Sequence, residues 1–255
     1  MTRIPAGFCL CVAAAAQAQI GVPRAGCILD RTGSLGPVYG VPAILMPGTA
    51  VASGVISAAC SGQLALVKTG SALEVRDSQL RLLARWPAPP GPARLAIGAN
   101  GAAAAYFVET RELVAIEGAL APRSLRNALP GAVLAIAIAG TQYLDAVVSI
   151  GGAAQLVRIS LASGAIERAA ALAEIAGGPV MLLPDGTLVY GDGANIAILR
   201  PGGAERRFAL PAPAVSIYAM GNQLAGIAFA AGTGPVALRL EPGRERVFRV
   251  PEAAE

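Results

Sequence analysis

The sequence predicts an all-β chain folded as a β-propeller, with five full four-stranded blades and an N-terminal half-blade on a ring of six positions. Two observations carry that expectation. An apolar residue followed by proline recurs at Val41-Pro42, Trp86-Pro87, Leu129-Pro130, Leu210-Pro211 and Val250-Pro251, with the prolines 45, 43, 81 and 40 residues apart. The 81-residue gap holds two periods with one mark lost. Self-similarity at about 40–45 residues, in a chain that otherwise reads as strand and turn, marks a propeller. The second observation is a hairpin signal inside each period: Ser61-Gly62, Asn100-Gly101, Gly140-Thr141, Asp185-Gly186 and Gly221-Asn222. Gly and Asn supply the positive φ that such turns need.

The elements follow in order. Before the first full copy, Cys27–Asp30 reads as a third strand, Arg31–Ser34 as a turn and Leu35–Val41 as a fourth strand, the outer half of a blade. First and second strands then pair as Val55–Ala59 with Leu64–Val67, Leu95–Ile97 with Ala102–Val108, and Val133–Ala139 with Tyr143–Ile150. Val180–Leu183 with Leu188–Tyr190 and Val215–Met220 with Leu224–Phe229 complete the five copies. Near-continuous apolar runs suit strands covered on both faces by neighbouring blades. Third strands alternate, as in Leu73–Arg76, Gln155–Ile159 and Val236–Leu240, in keeping with one more exposed face. The fourth strands, Leu80–Trp86, Ser124–Leu129, Ala165–Leu172, Arg206–Leu210 and Arg246–Val250, carry charges such as Arg81, Arg126, Glu167 and Arg168. Charge on an outer strand protects its open edge from pairing with another chain.

At 255 residues, 55% hydrophobic and 14% charged, the chain has the composition of a folded domain. Arg3, the apolar run Ile4–Ala16 and the small-residue site Ala16-Gln17-Ala18 read as a secretory signal peptide over 1–18, cleaved after Ala18. The other reading of that run is a buried strand. The expected organisation is an N-terminal extension over 19–26, one propeller domain over 27–251 and a tail over 252–255, exported to the periplasm or beyond. Cleavage removes one of 20 basic residues, leaving 19 against 16 acids, a net charge of +3 that argues against nucleic acid. The uncharged stretch 32–67 is broken by Gly and Pro throughout, so no transmembrane helix is expected. A monomer is expected.

The segment Pro184-Asp185-Gly186-Thr187-Leu188 is similar to the Pro-Asp-Gly turn of periplasmic propellers of the Tol-associated kind. The organisation over 27–251 resembles the WD-repeat-like β-propellers of secreted bacterial proteins. The Trp-Asp dipeptide of eukaryotic WD repeats is absent, since Trp86 precedes Pro87. The resemblance implies a fold and no particular activity.

The chain has no histidine, which removes Ser-His-Asp and Cys-His catalysis, His-ligated zinc and axial-His haem. Gly191-Asp192-Gly193 and Gly232-Thr233-Gly234 lack the Lys-Ser/Thr of a phosphate loop, and Asp185 and Asp192 lack calcium-loop spacing. No metal or cofactor is expected. Position points instead to the loops between blades and between second and third strands, which share one face of a propeller. They carry Lys68, Thr69, Glu109, Thr110, Arg111, Asp192, Asn195 and Thr233, a candidate binding face. Two function classes follow: a non-enzymatic scaffold presenting that face to a protein, peptide or glycan, or a hydrolase or lyase using carboxylates such as Glu109, Asp145 and Glu174 at the axial mouth. Convergence of carboxylates on the axis separates them. Cys27 and Cys60, the cysteines left after export, fall on opposite faces in this strand assignment, about 17–20 Å apart, and are expected as free thiols.

Overall fold

A computed structural model describes residues 23–251 apart from 42–43, 99, 118–120, 126–128, 173–174, 176–177, 222 and 231–233. These residues form six antiparallel sheets arranged as the blades of a propeller. Blade 1 contains β1 (Arg24–Leu29), β2 (Leu35–Val41) and β3 (Ile44–Pro47). Blade 2 contains β4 (Val55–Cys60), β5 (Leu64–Thr69), β6 (Ala72–Asp77) and β7 (Leu82–Pro87). Blade 3 contains β8 (Ala93–Ile97), β9 (Ala102–Phe107), β10 (Glu112–Glu117) and β11 (Arg123–Leu125). Blade 4 contains β12 (Ala132–Ala139), β13 (Tyr143–Ile150), β14 (Ala153–Ser160) and β15 (Ile166–Ala171). Blade 5 contains β16 (Val180–Leu182), β17 (Leu188–Asp192), β18 (Asn195–Leu199) and β19 (Arg206–Ala209). Blade 6 contains β20 (Ala214–Gly221), β21 (Leu224–Phe229), β22 (Val236–Arg239) and β23 (Arg246–Arg249).

Each of the five four-stranded blades is a meander whose sequence order is its spatial order. The first hairpins fall at the expected turns, and Gly101, Gly140 and Gly186 occupy them at φ 80, 66 and 82°. No helix occurs among the described residues. The core is divided among the junctions between blades. Leu144, Val148 and Ile159 of blade 4 meet Ala104 and Leu113 of blade 3, and Val189 and Ile196 of blade 5 meet Ala225 and Leu238 of blade 6. Alanines at these seams, such as the fully buried Ala104 and Ala105 of β9, let neighbouring sheets approach closely. Polar bonds reinforce two seams: Arg200 donates to the carbonyl of Leu240 at 2.8 Å and pairs with the buried Glu245, and Arg123 donates to the carbonyl of Leu161.

Blade 1 corrects the sequence reading. Its turn at 30–34 is bonded to the connection entering β4, with the Val55 N–H on the carbonyl of Gly33 at 2.9 Å. The other end of β1 meets the end of β20, where Gly26 lies against the carbonyl of Met220 and Gly221 against that of Ala25. β1 therefore runs opposite to β20 and β4, the innermost strands of the flanking blades. Blade 1 holds a second, third and fourth strand, not the third and fourth that the sequence suggested. Among the described residues it has no inner strand, and β20 touches β4 directly past it. Among the described residues, six blades surround five inner strands.

That offset of one strand also overturns the expectation of free thiols. Reversing the direction of β1 moves Cys27 to the same end of the ring as Cys60, and the two form a disulfide with Cα atoms 6.1 Å apart. The bond closes a loop of 33 residues and ties blade 1 to blade 2. Loop-closure entropy of that size stabilises the folded chain by about 4 kcal/mol.

Candidate binding site at the axial channel

The five inner strands β4, β8, β12, β16 and β20 all run from the face bearing the blade-to-blade loops toward the face of the first hairpins. Together with Leu29 of β1 they enclose an axial channel of about 260 Å³. Ile56, Leu95, Met181 and Ile217 supply an apolar wall. Of all residues in these five strands, Arg94 is the one that carries a charge. It is the second residue of β8, which places it near the loop-bearing mouth.

Arg94 keeps contact with solvent inside the channel, yet the surrounding wall withdraws enough water to lower its pKa, with no carboxylate near enough to offset that loss. No hydrogen bond or ion pair engages its guanidinium among the described residues. Ser57 of β4 stands beside it: its Oγ accepts the N–H of Ala93 at 3.2 Å, leaving the hydroxyl proton free to donate. Ser216 of β20 lines the same channel. No Asp or Glu is among the described lining residues. The arrangement offers donors and positive charge at the mouth of an apolar tube.

Of the residues chosen from sequence, Lys68, Glu109, Arg111, Asp192 and Asn195 are described; they sit at or beside the connections between second and third strands and do not form one cluster. Lys68 is fully buried at the end of β5, where its ammonium donates to the carbonyls of Thr69 and, at 3.5 Å, Gly70. Burial lowers its pKa, and Glu109 on the next blade partly offsets this. Glu109 is exposed, and its carboxylate fills the space over Gly91, where a Cβ would lie 2.3 Å from Oε1. Arg111 is exposed, takes φ 55°, and tempers the burial that raises the pKa of Tyr106. Asp192 and Asn195 are paired across the β17–β18 turn, but Asp192 is held by Arg207, which also grips Glu205. Glu205 in turn accepts the Tyr190 hydroxyl, and burial with that carboxylate pushes the Tyr190 phenol up to about 12. Thr233 and Glu174 lie outside the described residues. Asp145 is committed within blade 4 to a bidentate pair with Arg158, at 2.7 Å for both bonds. Arg94 was missed because charge was sought on loops. Its signal was a lone arginine at the head of an apolar inner strand.

No protein-family model matches the chain, and no curated protein matches it. Solved structures do. The chain is similar to PorZ, a bacterial surface component of the type-IX secretion system of Porphyromonas gingivalis, with TM-score 0.51 and 18% identity, covering 90% of this chain and 31% of PorZ. It thus spans about a third of that protein's length. A structure of the nidogen/laminin complex matches with TM-score 0.62 and 10% identity over 89% of this chain and 92% of the other. A catalytically inactive virginiamycin B lyase from Staphylococcus aureus, with quinupristin, matches with TM-score 0.52 and 12% identity over 92% and 87%. At these identities the likeness shows the propeller fold alone.

Proposed function

We propose that this chain is a non-catalytic, exported binding module that takes its ligand at the loop-bearing mouth of the axial channel. The unpartnered Arg94 in the channel wall carries the reading. A partly dehydrated cation without a counter-charge stands in a wall that Ala or Ile could complete, and an anionic ligand supplies the partner it lacks. Export is supported by the apolar run at 4–16 with its Ala16-Gln17-Ala18 site, and by the Cys27–Cys60 bond, which suits an oxidising compartment. A binding role is supported over a hydrolytic one by the acid-free channel lining among the described residues and by the absence of histidine from the sequence. Such a mouth is open to a protein, a peptide, a glycan segment or a small organic ligand. Capture from native extract on the immobilised chain tests the reading. Wild type should retain a ligand that Arg94→Gln, with an unchanged melting temperature, releases. Equal retention by both would place binding elsewhere on the molecule.

A further inference from the structure

We infer that the axial channel recognises a carboxylate borne on a short aliphatic body, with Arg94 and Ser57 holding the carboxylate oxygens and the channel wall taking the body. The inference rests on the mouth-binding reading above and names its ligand chemistry. Three observations combine. Arg94 is the one charge of the five inner strands and has no protein partner among the described residues. Ser57 Oγ accepts the Ala93 N–H, and its own hydroxyl proton remains to donate to an incoming oxygen. The wall around them is apolar, with Ile56, Leu95, Met181 and Ile217, and no acid stands among its described lining residues to repel an anion.

A planar guanidinium presents paired N–H groups that match the two oxygens of a carboxylate, and the bond strengthens where water is thin. Among the described lining residues no second cation stands beside Arg94, which argues against a multiply charged ligand such as a phosphate ester. Volume sets the size. About 260 Å³ falls below the roughly 300–1,000 Å³ of pockets for drug-sized ligands, so only a small body is enclosed. A free short-chain acid and the C-terminal residue of a peptide share this chemistry.

Calorimetric titration of the exported chain with hexanoate, with hexanamide, with the tripeptide acetyl-Ala-Ala-Leu, with its C-terminal amide and with inorganic phosphate tests the inference. At least one carboxylate should bind tenfold or more tightly than its own amide, and Arg94→Gln should remove that margin while Arg94→Lys keeps part of it. Preference for hexanoate identifies a free acid as the ligand, and preference for the tripeptide identifies a chain terminus. Equal binding of acid and amide, tighter binding of phosphate, or a margin that survives Arg94→Gln overturns the inference. The two readings fail separately. An extract ligand whose capture depends on Arg94 but that neither carboxylate displaces would leave the mouth reading standing and remove the carboxylate. Melting curves of both variants confirm folding.

Discussion

Blade 4 and blade 1 are held together in opposite ways. Blade 4 has strands of 8, 8, 8 and 6 residues, an inner strand of its own, and an internal bidentate pair between Asp145 and Arg158. Blade 1 has strands of 6, 7 and 4 residues and no inner strand among the described residues. Its support comes from its neighbours. The Cys27–Cys60 bond joins it to blade 2, the glycine contact at Gly26 and Gly221 joins it to blade 6, and the Tyr218 hydroxyl accepts the Leu29 N–H at 3.2 Å. That N–H faces the place where an inner strand would pair. A complete blade is stabilised by its own ladder, whereas an incomplete one borrows a covalent bond, a close backbone contact and a phenol. Their outer edges differ as well: β15 carries Glu167 and Arg168, while β3 exposes Ile44 and Met46.

The comparison predicts that reduction weakens blade 1 most. Cys27→Ala with Cys60→Ala, or a thiol reductant, should lower unfolding stability by about 4 kcal/mol in urea titration. Reductant-insensitive stability would break the contrast at its strongest point. Next, Gly26→Ala places a Cβ 1.8 Å from the backbone oxygen of Met220 and should cost about 3 kcal/mol. Gly140→Ala, at φ 66° in the first hairpin of blade 4 with open space around it, should cost about 1 kcal/mol. Equal costs would mean that the β1–β20 contact is not close.

Alkaline titration sharpens the same contrast. Burial pushes the Tyr218 phenol up to about 12. The folded state therefore favours the neutral phenol, a contribution fully present below the unfolded value of about 10 and lost as pH rises through about 12. Stability should fall by about 3 kcal/mol for Tyr218 across that window, with Tyr190 adding its own share. Tyr218→Phe should flatten the alkaline limb by roughly half while costing about 1 kcal/mol at neutral pH through the unsatisfied Leu29 N–H. An unaltered alkaline limb would remove Tyr218 from the closure of the ring.

Much of the propeller was legible because its signals are local. Turn chemistry at Gly101, Gly140 and Gly186 and the apolar runs beside it placed the inner hairpins, and Tyr143–Ile150 spans β13 residue for residue. Blade 1 was misplaced because Cys27–Asp30 and Leu35–Val41 fit two adjacent strands equally well in either pair of positions. Only contacts with β20 and β4, about 190 and 25 residues away along the chain, decide between them. The site was less legible for a related reason. Lys68 looks like a loop cation in sequence, but folding buries it, whereas Arg94 looks like a strand residue and folding leaves it facing the channel.

The reversed entry of β1 also sets which way the molecule faces. Pro23 precedes β1 on the face of the first hairpins, while Val250 follows β23 on the loop-bearing face, bonded to the carbonyl of Pro235. The two points are separated by the height of a blade, about 17–20 Å. The described chain therefore enters the ring on the side away from Arg94 and leaves it on the side of the channel mouth.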